Sequence, residues 1–196
     1  MERKVFTRQS PAGSGLQKAA QAMQSSDDSS QPITSPPTDL SDLQQDGYSL
    51  TFSSFTTEDA LELGNLLLAR LLPLAKERPA VISISLANSG QVVFQSVTGS
   101  GIVPDNEHWL RRKRNTVLRF GASTWFMHCK FDGDEEAFAA KFAISDEKKG
   151  DYAIHGGAVP IHVQGVEGVV AVVIVSGLKQ HEDHGVIFDV VKENWK

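Results

Sequence analysis

The sequence predicts an α/β domain in which helices flank a mainly antiparallel sheet. Two hairpins support this prediction, one within residues 80–97 and one within residues 153–176, because strands that a short turn joins pair antiparallel. Helical patterns separate the hairpins and follow the second one, so helices should cover the sheet. The chain has 196 residues, and we expect residues 46–196 to form a single domain of ordinary size.

The first strand and the first long helix are predicted from alternation and from capping residues. Apolar and polar residues alternate over residues 48–52, which is typical of a short strand. Thr56 or Thr57 can cap a helix whose first turn is acidic, and Pro73 should end or kink that helix. Helical spacing predicts a buried stripe of Leu61, Gly64, Leu67, Leu68, Leu71 and Leu72.

The later elements are delimited by glycine, asparagine and proline residues, which favour turns. We expect strands at residues 80–86, 91–97, 153–164 and 169–176. We expect helices from residue 107 to beyond Phe120, at residues 135–142 and at residues 184–195.

Residues 1–45 differ in composition from the rest of the chain. They are rich in Ser, Gln, Pro and Asp and contain few large apolar side chains. Such a segment buries too little apolar surface to offset the chain entropy lost on folding. The sequence therefore predicts a disordered N-terminal tail at residues 1–45 that the domain does not need for folding.

Charge, cysteine content and hydropathy restrict the partners and the compartment. The net charge of −5 argues against broad nucleic-acid binding, since proteins that bind phosphate backbones are usually basic. Cys129 has no second cysteine to pair with, which favours a reducing compartment. No apolar run is long enough to span a bilayer. We therefore expect a cytoplasmic protein with neither nucleic acid nor membrane as a partner.

A histidine–glycine–glycine turn at residues 155–157 marks a candidate pocket. Glycines at strand ends allow a ligand to approach closely, and histidines supply polar contacts. Helical phase adds Lys113, which shares a stripe with Trp109 and Val117 and should point inward. A buried cation needs a partner, which Asp183 or a bound carboxylate could supply. The predicted ligand site comprises Lys113, Thr116, His155, Gly156, Gly157, Ser176, Asp183 and His184.

Several of these residues have alternative interpretations. The basic run at residues 111–114 can form a solvated helix face. His155 can act as a ligand of a bound metal group, as a general base or as a hydrogen-bonded residue at a strand end. His181 and His184, with Asp183, could approach a divalent metal, but the sequence specifies no further ligand, and we predict no metal site.

The sequence contains no unambiguous catalytic constellation. Ser176 follows Val-x-Val rather than standing in the Gly-x-Ser-x-Gly turn of an α/β-hydrolase. Cys129 lies among apolar and aromatic residues, where we expect an inert thiol. Dinucleotide-binding and phosphate-loop fingerprints are absent from the sequence. These observations favour a binding protein over an enzyme.

Three segments resemble the haem-degrading domain family (GlcG/HbpS-like), within its subgroup of uncharacterised fungal and bacterial proteins. They are residues 109–121 (WLRRKRNTVLRFG), 155–161 (HGGAVPI) and 175–184 (VSGLKQHEDH). The resemblance covers about residues 50–192. It implies a profilin-like fold with a five-stranded antiparallel sheet flanked by helices, homo-oligomers built from dimers, and an association with haem or another small ligand.

The chain departs from the pattern of that family at several positions. The family has a Lys-Ala-x-Thr-Ala core in its long helix, and Lys113 and Thr116 match it. Arg114 and Val117 replace the two alanines, which implies a narrower pocket. His155 stands where the family more often has glycine.

Three functions compete on this evidence. The first is a non-catalytic homo-oligomer that binds a small anionic or planar ligand, with haem implied by the resemblance. The second is an enzyme acting on such a ligand, for example by degrading haem. The third is an oligomeric adaptor, for instance in a chaperone pathway, that presents its N-terminal tail and residues 192–196 to protein partners. Oligomerisation is also expected because Trp109, Trp125, Phe126 and Met127 supply more apolar surface than one sheet covers.

Overall fold

The structure, a computed structural model, describes residues 4–25 and 31–196, while residues 1–3 and 26–30 lie outside the described residues. Within the described ranges the chain forms one sheet of six strands. The strands are β1 (Val5–Phe6), β2 (Leu50–Phe52), β3 (Val81–Leu86), β4 (Val92–Val97), β5 (Ala158–Val163) and β6 (Ala171–Ser176). They lie in the order β1-β2-β5-β6-β3-β4.

Helices of very different length accompany the sheet. They are α1 (Ser14–Gln24), α2 (Leu40–Gln45), α3 (Thr57–Leu71), α4 (Asp105–Phe120), α5 (Thr124–Lys130), α6 (Glu135–Lys141), α7 (Asp146–Lys149) and α8 (Gln180–Asn194). Thr56 caps α3 in a reciprocal capping box with Asp59, and Pro73 lies in the 3-10 turn that follows this helix. Among the described residues no helix is both long and apolar enough to cross a bilayer.

The sheet is mixed rather than five-stranded and antiparallel. The pairs β5–β6, β6–β3 and β3–β4 are antiparallel, as the two hairpins predict. The pairs β1–β2 and β2–β5 are parallel, which is possible because long connections precede these strands. The α/β class with helices flanking a sheet is confirmed, whereas the strand count differs because β1 extends the edge of the sheet.

Each face of the central sheet packs against helices. One face buries Ile82, Ile84 and Val173 against leucines of α3 and valines of α8. The opposite face buries Val81, Val172 and Ile174 against Leu110 and Val117 of α4. The alternation of buried side chains along β3 and β6 thus fixes α4 directly against the sheet. In α3, the predicted inward residue Leu61 is exposed, while Leu63 and Leu66 are buried.

A second apolar cluster lies beside the sheet and corrects one sequence prediction. Trp125, Phe126 and Met127 of α5 are buried against Phe138 of α6 and neighbouring aromatic residues. They therefore do not add exposed apolar surface around α4. The sequence pattern missed α5 because seven residues are too few to establish a helical period.

The N-terminal segment differs most from its prediction, since its described parts are packed on the domain. Strand β1 pairs with β2, and α1 packs on α3. The buried carboxylate of Glu62 accepts hydrogen bonds from the backbone N–H groups of Gly13 and Gly15, the latter at 2.7 Å. Ala19, one turn further along α1, is also buried. The disorder predicted for residues 1–45 is not what the structure has at residues 4–25 and 31–45, and the remaining eight lie outside the described residues.

The physical reason is that α1 is held by polar and close-range contacts rather than by large apolar side chains. A Cβ on Gly15 would lie 2.8 Å from the Glu62 carbonyl oxygen, so only glycine permits this approach of the two helices. The other end of the chain is docked as well. Trp195 is 1% exposed, and the backbones of Thr7 and Lys196 exchange hydrogen bonds. The C-terminal residues predicted to be presented to partners thus pair with the N-terminal segment.

Candidate functional site

An open groove of about 510 Å³ lies where α4, the start of α8 and the ends of β5 and β6 meet. Its lining includes Trp109, Lys113, His155, Ser176, His181 and Asp183. Four of the eight residues of the predicted ligand site line this groove, namely Lys113, His155, Ser176 and Asp183, and Gly156 and Gly157 follow His155 in the adjoining turn. The groove therefore joins the long helix to the glycine turn, as the sequence analysis expects.

Lys113 and Asp183 form a buried pair at the floor of the groove. Lys113 is 2% exposed, and its Nζ lies 3.3 Å from Asp183 Oδ2. The same Nζ lies 3.3 Å from Ser176 Oγ and from the carbonyl oxygen of Val175. The pair stands at this depth because Lys113 shares the buried face of α4 with Leu110 and Val117.

Burial shifts both members of this pair towards their neutral forms. Loss of hydration lowers the pKa of Lys113, although the Asp183 carboxylate opposes the shift. Loss of hydration also raises the pKa of Asp183, against the opposing effect of Lys113 and of a hydrogen bond from the Leu178 N–H to Asp183 Oδ1 at 2.9 Å. Desolvation thus favours an uncharged amine beside an uncharged carboxylic acid.

The glycine turn makes this pair possible. Gly157 has φ +113°, a conformation that other residues rarely adopt. A Cβ on Gly157 would lie 2.3 Å from the Val175 oxygen and 2.7 Å from Asp183 Cβ. A Cβ on Gly156 would lie 2.4 Å from the Gln180 oxygen. The two glycines therefore allow the start of β5 to approach α8 and the end of β6 closely.

His155 and Trp109 form one wall of the groove. Their rings meet edge to face with centroids 4.8 Å apart. His155 Nδ1 lies 3.3 Å from Glu135 Oε1, and Arg112 stacks over Trp109 and also reaches Glu135. The His155 imidazole and, more weakly, Arg112 hold the pKa of Glu135 below its usual value against the effect of burial.

The structure separates two predicted site residues from the groove. Thr116 is buried and donates a hydrogen bond to the Ala153 carbonyl oxygen at 2.8 Å, so it anchors the segment before β5. His184 is fully buried, with its ring 4.9 Å from that of Phe188 and 6.3 Å from that of Trp125. Burial lowers the pKa of His184 to about 3, so this side chain is a neutral core residue. Consecutive residues on a helix point about 100° apart, which places His184 away from Asp183.

Glu135 was not predicted from the sequence, and Trp109 and His181 were predicted in other roles. Trp109 precedes Lys113 by one helical turn, and this spacing could have placed it beside the site. Glu135 belongs to a different helix, and no local signal connects it with His155. Among the described residues no three His, Cys, Asp or Glu side chains are grouped as metal ligands would be.

A family model described as haem degrading protein HbpS-like matches residues 55–192. A UPF0303 protein of Streptomyces avermitilis is 37% identical over 158 residues, which are 81% of this chain and 91% of the relative. The UPF0303 protein YBR137W of Saccharomyces cerevisiae is 39% identical over 152 residues, which are 78% of this chain and 82% of the relative.

Two solved structures are also similar to this chain. The crystal structure of the Ybr137w protein is similar with a TM-score of 0.65 at 38% identity, covering 74% of this chain and 80% of that one. The crystal structure of HbpS is similar with a TM-score of 0.51 at 17% identity, covering 71% of this chain and 88% of that one. At that identity the likeness to HbpS concerns the fold alone.

Proposed function

This chain belongs to the HbpS-like family of haem-degrading proteins, and we propose that its groove binds a small anionic, planar ligand. The resemblance read from three short sequence segments is thereby confirmed. The observation that supports the proposal is that Lys113, with its buried amine, lines the groove beside the flat ring of Trp109. Lys179 and His181 line the same groove, so several basic or polar groups face one carboxyl group, that of Asp183.

Haem is the ligand to test first, because the family is described by it. Histidine is a common axial ligand of haem iron, and His155 lines the groove. Metal-ligating histidines usually place their other ring nitrogen against a carboxylate, and Glu135 Oε1 lies 3.3 Å from His155 Nδ1. These residues fit the group, because His155 would hold the iron and the lysines of the groove would hold the carboxylates of the haem. Bound haem would supply an iron centre able to bind oxygen.

Haem titration with native mass spectrometry tests this proposal. We expect a Soret band for the full chain and a loss of affinity of tenfold or more in His155→Ala. His108→Ala is the matched control, because His108 is exposed on the same helix as Trp109 and lies outside the groove lining. The proposal fails if neither haem nor any co-purified small molecule binds. Adding a reductant separates a binder, which keeps its haem, from an enzyme that degrades it.

We also propose a homo-oligomer that forms in the cytoplasm through the edge of the sheet. In the described ranges β4 pairs with β3 on one side alone. Its sequence VVFQSV carries no charge, and Val92 and Val97 are exposed. An uncharged, exposed edge strand offers its unpaired N–H and C=O groups to a strand of another chain. The free thiol of Cys129 suits a reducing compartment.

A further inference from the structure

The Lys113 amine is held loosely by its neighbours. Charge-assisted hydrogen bonds between an ammonium and a carboxylate usually measure about 2.7–2.9 Å. The three contacts of Lys113 Nζ, with Asp183, Ser176 and the Val175 oxygen, all measure 3.3 Å. A purely structural ion pair at this depth would need shorter contacts to offset the loss of hydration. The amine thus lies among groups that can accept or donate a proton, but its contacts with them are longer than those of a strong ion pair.

The Lys113 side chain also borders the groove. Lys113 lines the groove although its side chain is almost fully buried, so the surrounding walls exclude most water from it. On the side of the glycine turn the Gly157 backbone approaches the amine closely, since a Cβ on Gly157 would lie 3.0 Å from Nζ. Buried lysines of this kind lose their proton readily and become nucleophiles.

We propose that Lys113 forms an imine with a small aldehyde or ketone ligand in the groove, with Asp183 as the proton carrier. This inference rests on the proposed ligand-binding function of the groove and adds the bond that holds the ligand. It assigns to Lys113 the role of nucleophile, which neither the family description nor the relatives' names provide.

The reaction begins with a neutral Lys113 amine and a protonated Asp183. The nitrogen lone pair attacks the carbonyl carbon, and the carbonyl electron pair moves to oxygen. Asp183 protonates that oxygen and takes a proton from nitrogen, which gives the carbinolamine. Asp183 then protonates the hydroxyl group, which leaves as water while nitrogen forms the double bond. The products are a protonated imine, the Asp183 carboxylate paired with it and one water molecule, so no oxidant or reductant is needed.

The groove favours an anionic aromatic carbonyl compound. Trp109 offers an aromatic surface one helical turn from the amine. Lys179 and His181 lie at the start of α8, where backbone N–H groups also favour an anion. A planar ring that carries an aldehyde at one end and a carboxylate at the other would meet both requirements.

Reductive trapping on the full chain tests the inference. The probe is 4-carboxybenzaldehyde with sodium cyanoborohydride, and peptide mass spectrometry locates the adduct. We expect Lys113 to be modified at pH 7 at least tenfold faster than Lys148, which is exposed on α7. Asp183→Asn should slow modification of Lys113 at least tenfold. Lys148→Arg is the matched control and should leave modification of Lys113 unchanged.

A pH series on the unaltered protein gives a second measurement that needs no variant to fold. An exposed lysine has a pKa of about 10.4. Its reactivity should fall about tenfold for each pH unit below that value. Asp183 is the titratable group in contact with Lys113. His184 interacts with Lys113 electrostatically, but burial lowers its pKa to about 3, so it does not titrate in this range. We therefore expect less than a threefold change at Lys113 between pH 8 and pH 7. Modification confined to exposed lysines, or a tenfold change at Lys113, overturns the inference.

Benzoate, which has no carbonyl group able to form an imine, separates this inference from the proposed function. Binding of benzoate in the groove, followed by chemical shifts of Trp109 and His155, supports the ligand site by itself. If benzoate binds while Lys113 resists trapping, the imine is wrong and the binding function stands. If neither benzoate nor the aldehyde binds, the imine is wrong, and the haem titration then decides the binding function by itself.

Discussion

Gly157 and Lys113 lie so close that a Cβ on the glycine would stand 3.0 Å from the lysine Nζ. The two residues are 44 positions apart (157 − 113) in the sequence. The absence of a side chain at Gly157 therefore determines whether the buried amine can occupy its place beside Asp183.

Gly157→Ala should destabilise the protein by more than about 3 kcal/mol, because it combines an unfavourable backbone conformation with overpacking. The control is Gly165→Ala, since Gly165 has φ +78° but nothing within 4 Å of its Cβ position. We expect that control to cost about 1 kcal/mol, the conformational part alone. Urea unfolding of both variants measures the difference, and equal costs would show that the close approach is unimportant.

Lys113→Met should cost about 3–5 kcal/mol of unfolding free energy, because it leaves Asp183 buried without its partner. Replacing both residues, in Lys113→Met with Asp183→Leu, should recover more than half of that loss. Both members of the pair belong to one chain, so the oligomer should persist in each stable variant. Denaturant unfolding of the unaltered protein, both single variants and the double variant measures the coupling energy between the two residues. If the two single losses of unfolding free energy simply add in the double variant, the residues are not coupled and the prediction is wrong.

The sequence predicted those parts of the fold whose signal is local. The strands of both hairpins and the helix around Lys113 were predicted because alternation and helical spacing repeat within each segment. The phase of Lys113 with Trp109 and Val117 also predicted its burial correctly. By contrast, no local signal shows that Asp183 lines the groove while His184 lies in the core. The two residues differ because Asp183 is on the face of α8 towards α4 and His184 is on the face towards α5.

The packed N-terminal segment could not be predicted from its own composition. Part of its packing comes from Glu62, a charged residue that lies buried 47 positions after Gly15 (62 − 15), and part from the buried side chains of Phe6 and Leu43. The hydrophobic content of α1 is a poor guide to whether it packs on α3, because small residues and one carboxylate make the contacts between these helices. The contact of His155 with Glu135 is also unpredictable from local sequence. It joins two separate elements, and neither contains a pattern that indicates the other.

Removing residues 1–24 should lower the unfolding free energy by at least about 2 kcal/mol, because it exposes the surface of α3 and leaves the Glu62 carboxylate without its two N–H donors. Glu62→Gln should be destabilising in the full chain and nearly neutral in the shortened one. Chemical unfolding of the four proteins forms a cycle. An unchanged stability of the shortened chain would instead support the predicted dispensable tail.

Val97→Lys should break the proposed oligomer, because it places a charge on the free edge of the sheet. Val97 is 52% exposed, and Val166, in the turn between β5 and β6, is exposed to the same extent. Val166→Lys is therefore a control matched in residue and exposure. Light scattering should give a smaller mass for the first variant alone. A monomeric mass for the unaltered protein at micromolar concentration would contradict the proposal.

His184 should make the protein lose stability in mild acid. Burial lowers its pKa to about 3 in the folded state, whereas an unfolded histidine has a pKa of about 6.5. A lowered folded pKa means that the stabilising contribution is complete above pH 6.5 and is lost as the pH falls towards 3. The loss from this one residue approaches about 1.4 kcal/mol per pH unit.

His184→Leu should flatten the dependence of the unfolding free energy on pH between pH 6.5 and pH 5. His108→Leu, at an exposed position, should leave that dependence unchanged. Urea unfolding across that interval measures the slopes, and parallel slopes for His184→Leu and the unaltered protein would show that another group is responsible.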